Sequence, residues 1–64
     1  MTPDERDVID EMNNYGGSFI RALARAFEYA DDANFRRLKA AFPDYWARYE
    51  ELATKARNNG PLLP

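Results

Sequence analysis

Three interruptions, Gly16-Gly17, Asp31-Asp32 and Pro43, cut this chain into four segments, and each segment carries helical spacing. Apolar residues recur three and four positions apart throughout, and no stretch alternates as a strand would. The first segment opens with Thr2-Pro3-Asp4-Glu5: Thr2 is placed to cap, Pro3 suits the first helical position, and Glu5 completes a capping box. Val8, Ile9, Met12 and Tyr15 then share one face. In the second segment Ser18 is the expected N-cap. Phe19, Ile20, Leu23, Ala26, Phe27 and Ala30 form its apolar arc, with Arg21, Arg25 and Glu28 opposite and Tyr29 on the flank.

Asp31 or Asp32 caps the third segment, where Phe35, Leu38 and Phe42 make a one-face stripe. Pro43 removes a backbone donor and forces Phe42 out of helical geometry, so this helix ends near Ala41. On the fourth segment Tyr45, Tyr49, Leu52 and Ala56 are expected on one face, with Trp46 and Ala53 at its edge. Glu51 and Lys55 form an i, i+4 pair in the favourable order. A left-handed cap at Asn59 or Gly60 closes the helix, and Pro61 forbids its continuation. The expectation is an all-α bundle of four short helices, about 3–14, 19–30, 32–41 and 44–58. Residues 1–60 then form one domain, and 61–64 a flexible tail on which Leu62 and Leu63 could fold back.

A chain of 64 residues buries only ~60% of the surface its unfolded form exposes, so its core must be efficient. There is no Cys and no His, which excludes a disulfide, a thiolate nucleophile and the usual zinc ligands. Four Phe, four Tyr and one Trp supply the compensating apolar area on few rotatable bonds. No apolar run reaches the roughly 18 residues of a membrane span, and the acidic start is unlike a signal peptide. These features lead to the expectation of a cytoplasmic, non-membrane protein.

Formal charge is −2, which gives no global attraction to nucleic acid. Asp4, Glu5, Asp7, Asp10 and Glu11 crowd the first segment beside Arg6 alone, as helix-dipole compensation or as an acidic end for a basic partner. The glycine pair follows a helical face, not a strand, and lacks the Lys and Ser/Thr of a phosphate loop, so it reads as a corner that ends the helix in a left-handed residue. Ser18, Thr2 and Thr54 have no evident activating base, and Asp31-Asp32 lacks the ligand spacing of a calcium loop. No catalytic residue, cofactor or metal is assigned. Arg36, Arg37 and Lys39 could form a recognition helix for DNA, although Asp31 and Asp32 stand where phosphates would be met. Tyr29, Tyr45 and Trp46, beside Arg21 and Arg25, are the candidates for binding a protein partner, since Tyr and Trp are enriched at interface hot spots.

Tyr15 to Phe19, Ala22 to Ala24, Ala30 with Asp31 and Asn34, and Phe42 to Tyr49 together resemble a family of very short open reading frames from phages and mobile elements. The shared pattern is Tyr-Gly-Gly-Ser-Phe, Ala-Leu-Ala, Ala-Asp with a nearby Asn, and Phe-Pro-x-Tyr-Trp-x-x-Tyr. It covers roughly two thirds of the chain. Asp32 stands where the family often shows proline. No site residue is carried over from it. By analogy with other small acidic phage proteins, including anti-CRISPR proteins, the resemblance implies a modulator or inhibitor of a host protein or defence complex in a bacterial cytoplasm. The functional expectation is therefore a non-enzymatic protein-binding module. The alternative is a small DNA-binding regulator using Arg36, Arg37 and Lys39, and self-association into a homodimer is a third use of the aromatics.

Overall fold

The structure, a computed structural model, describes residues 1–59. Four α-helices follow one another: α1 (Pro3–Tyr15), α2 (Ser18–Tyr29), α3 (Asp32–Ala41) and α4 (Pro43–Asn59), with no strand among the described residues. The expected cap of α4 at Asn59 or Gly60 and the tail with Leu62 and Leu63 lie outside the residues whose surroundings are described.

The caps account for the boundaries. The Thr2 hydroxyl accepts from the Glu5 amide at 3.1 Å, and the Glu5 carboxylate accepts from the Thr2 amide at 3.0 Å, which completes the capping box. Asp31, not Asp32, caps α3 by accepting from the Asn34 amide at 2.8 Å. Pro43 ends α3 at Ala41 and opens α4, with Phe42 as the joint. Ser18 does not cap α2. It is the first helical residue, and Gly17 is the N-cap, with no side chain to offer.

The Gly16-Gly17 corner also differs from the expected left-handed cap. Gly16 is extended (φ −80°, ψ 156°), and no residue among those described has positive φ. Its need for glycine is steric. A Cβ on Gly16 would lie 2.5 Å from the Ile20 Cβ and 2.6 Å from the Met12 carbonyl oxygen, whereas one on Gly17 would meet nothing within 4 Å. The two glycines therefore do different jobs: one lets α1 and α2 approach closely, and the other only turns the chain.

The core consists of Val8, Ile9 and Met12 from α1, Ile20, Leu23, Ala24 and Phe27 from α2, Phe35 from α3, and Trp46, Tyr49 and Ala53 from α4. Its centre is a ring triangle from three helices. Phe27 lies 5.0 Å from Phe35 and 4.9 Å from Trp46, and Phe35 and Trp46 are 5.6 Å apart, all tilted or edge-to-face. Each such pair contributes about 0.5–1.5 kcal/mol beyond its buried area. α1 packs most extensively on α4 and α2 and supplies aliphatic side chains only.

Two helices are rotated relative to the expected faces, and a third departs from its expected face only at its end. On α4 the buried stripe is Trp46, Tyr49 and Ala53, while Tyr45, Leu52 and Ala56 are exposed. Both stripes have helical spacing and share Tyr49, but burying the indole gains more area, and the small Ala53 admits α1. On α2 Ala24 is fully buried, while Phe19 and Ala26 are exposed. On α1 Tyr15 is exposed at the corner, past the last residue covered by another helix.

Gly16→Ala is expected to destabilise the fold by more than 1 kcal/mol, because Ile20 or the backbone at Met12 must shift. Gly17→Asp should stabilise it by about 1 kcal/mol through a new side-chain cap and a stiffer unfolded chain. Urea unfolding followed by circular dichroism reads both. Equal effects at the two positions would refute the steric account.

Candidate functional site

Burial divides the expected partner-binding residues. Trp46 is 6% exposed and belongs to the core, so it is no surface anchor. Tyr29 is 83% exposed at the end of α2, and Tyr45 is partly exposed near the start of α4. They stand at opposite ends of the molecule's α2 side: Tyr45 touches Phe19, which opens α2, and Tyr29 closes it. Arg21 and Arg25 are exposed one turn apart on α2, around a hollow shared with Asn13, Ser18 and Ala22.

The DNA-binding alternative loses one of its three bases. Lys39 is half-buried, with its Nζ 3.6 Å from Glu5 Oε2 and 4.9 Å from the Trp46 ring centroid. It covers the indole and binds α3 to the start of α1. Arg36 and Arg37 are both exposed, but consecutive residues on a helix point about 100° apart. The three bases do not form one basic face.

On α2 the residues that sequence reasoning assigned inward but the structure leaves outward are Phe19 and Ala26. Phe19 is 55% exposed and forms a second ring cluster, with Phe42 at 6.0 Å and Tyr45 at 5.8 Å. Ala26 lines an open, mainly apolar hollow between α2 and α3 with Ala30, Leu38 and Ala41, bordered by Tyr29, Asn34 and Arg37. Pairing of Phe27 with Phe35 and of Phe19 with Phe42 shows that α2 and α3 run antiparallel along this hollow. The signal was present in the composition of α2. Its apolar residues occupy more than one arc, and a four-helix core has room for one.

Charge is distributed unevenly once the ion pairs are counted. Asp4 and Asp7 share Arg57 at 3.6 and 3.1 Å, Asp10 and Glu28 share Arg6 at 3.3 and 3.5 Å, Glu5 holds Lys39, and Glu51 holds Lys55. Among the described residues Arg21, Arg25, Arg36, Arg37 and Arg48 make no ion pair. Four of the five acids of α1 thus contact a base, which for three of them lies on α3 or α4, and Glu11 makes no ion pair among the described residues. The positive charge on α2 and α3 is left for something else.

Among the described residues no buried side-chain nitrogen or oxygen lacks a partner, and no cluster of three or more acidic, His or Cys side chains could hold a metal. No helix there is long and apolar enough to cross a membrane. Compared with family models, curated proteins and solved structures, the chain matches none.

Among the described residues, Glu5 is the one group whose ionisation is visibly tuned. The Thr2 amide donating to its carboxylate holds its pKa below the ordinary glutamate value; partial burial opposes this and Lys39 adds to it. A folded-state pKa below the unfolded one stabilises the protein fully above the unfolded value. That contribution disappears as pH falls through the folded value. The Glu5→Gln variant should therefore be less stable than wild type at neutral pH, with the gap in urea midpoint closing below roughly pH 4. A gap that does not change with pH would show that the charge of Glu5 contributes nothing.

Proposed function

We propose that this chain is a non-enzymatic helical module that works by binding another protein through its α2–α3 side. The observation that carries this reading is the uncovered apolar surface left after the core is complete. Phe19, Tyr29 and the Ala26–Leu38 hollow remain open to solvent, beside arginines without an ion pair among the described residues. Singly scattered apolar side chains are ordinary on a protein surface, whereas contiguous patches with aromatic anchors mark interaction sites. The lack of Cys and His supports a role outside catalysis.

The resemblance to short phage and mobile-element reading frames extends the proposal to the kind of partner. On that analogy the module modulates or inhibits a host protein or defence complex in a bacterial cytoplasm. DNA binding is the second reading, favoured by Arg36 and Arg37, which make no ion pair among the described residues, and weakened by the engagement of Lys39 with Glu5 and Trp46.

Affinity capture from bacterial host lysate, with the intact chain beside a Phe19→Ser, Tyr29→Ser variant, tests the proposal. Both side chains are more than half exposed, so the variant should keep its helical spectrum and lose only about 1 kcal/mol of stability or less. A specific protein retained by wild type and lost by the folded variant is the expected result. No specific partner, together with a salt-dependent shift of duplex DNA abolished by Arg36→Ala with Arg37→Ala, would replace it with the second reading. Light scattering across concentration separates either outcome from self-association.

A further inference from the structure

Resting on the protein-binding reading above, we propose that the hollow between α2 and α3 receives an acidic amphipathic helix from the partner. Its floor is made of small or flexible apolar side chains, Ala26, Ala30, Leu38 and Ala41. Tyr29 rises at one end; at the other, Ala41 is followed by Phe42, on which Phe19 packs. From Asn34 to Ala41 the wall advances seven residues, or about 10 Å, which matches two turns of a docked helix. Alanines in the floor admit a helix backbone at the near end of the usual ~8–10 Å interaxial range. An apolar stripe at i, i+3 or i+4, and i+7 would fill such a groove. An extended segment has no matching template, because no strand edge exists among the described residues to pair with its backbone.

The charge of the occupant follows from the rim. Arg37 lines the hollow on α3. Beyond Tyr29 on α2, Arg25 and Arg21 border the neighbouring hollow with Asn13, Ser18 and Ala22, with Arg25 one turn from Tyr29. None of the three makes an ion pair among the described residues, and no acidic side chain lines the hollow. Of the acids next in sequence to its lining residues, Glu28 is paired with Arg6 and Asp31 is occupied in capping α3. Aspartate or glutamate flanking the apolar stripe of the partner would meet these guanidiniums in bidentate geometry. A second copy of this chain fits less well. A two-fold contact uses the same patch on both subunits and would bring arginine rims together. A nucleic acid would meet a groove whose floor is hydrocarbon.

The probe is a displayed library of randomised peptides selected on the intact protein, with affinities of labelled winners read by fluorescence anisotropy. Winners are expected to be helical, with apolar residues at i, i+3 or i+4, and i+7 and Asp or Glu beside them. Ala26→Glu, and separately Arg25→Glu with Arg37→Glu, should each weaken binding at least ~10-fold. All three positions are exposed, so the fold should survive, as circular dichroism would check. Replacing the acids of a winning peptide with Lys should restore binding to the doubly reversed arginine variant. Winners without acidic residues, winners indifferent to Ala26→Glu, or no enrichment at all would overturn the proposal. A partner captured from lysate by wild type and still captured by Ala26→Glu would remove the groove assignment while leaving the protein-binding reading in place. Failure of both selection and capture would remove the two together. A dimer dissolved by Ala26→Glu would assign the groove to a second copy instead.

Discussion

Phe27, Phe35 and Trp46 meet because each is the largest apolar side chain its helix offers at a position the neighbouring helices can reach. Everything else in the molecule is arranged around that triangle. It links α2, α3 and α4, and leaves α1 to close the core with Val8, Ile9 and Met12. In a chain that buries so small a share of its surface, rigid rings are an effective choice, since they bring much area inside at little cost in rotamer entropy. Lys39 extends the same logic outward. Its ammonium lies over the indole, and Glu5 holds it there. The N-terminal capping box and the core are thus joined through a single carboxylate that serves both.

The corners of the fold were legible in the sequence because they depend on local chemistry. Thr2-Pro3-Asp4-Glu5, Asp31 and Pro43 each act on the backbone within one turn, and the helices begin and end close to where those residues require. Which way each helix faces was less legible, because rotation is decided by partners remote in sequence. The apolar residues of α4 satisfy helical periodicity on two overlapping stripes, and only the approach of the other three helices selects Trp46 and Ala53 over Tyr45 and Leu52. Gly16 shows the same limit on a smaller scale. Its glycine was foreseeable, but the reason for it is contact with Ile20 across the corner, not a left-handed backbone.

The candidate surface stayed hidden for a related reason. Phe19 looks like core in any reading of α2 alone, and it is the brevity of α3 that leaves the Phe19 and Ala26 flank open. A short third helix reaches the ring triangle through Phe35 and then turns at Phe42, so α2 is covered on its inner side and bare on the side beyond Leu38. Tyr29 and Arg25, by contrast, were recognisable from sequence as polar-tipped or charged residues off the main apolar arc, and they are exposed.

Net charge would suggest that such a chain seeks basic partners, since acids outnumber bases. Folding changes that inference. Most acids of α1 are brought onto Arg6, Lys39 and Arg57 from three different helices, and these contacts serve packing more than recognition. Exposed pairs of this kind contribute little stability each, but they draw Arg57 of α4 onto the acids of α1. The bases of α2 and most of those of α3 receive no such partner among the described residues, so the field near the α2–α3 hollow is more positive than the composition suggests. A protein can therefore be acidic in sum and still present cationic side chains beside an apolar hollow, because tertiary ion pairing, not composition, decides which charges remain free to act.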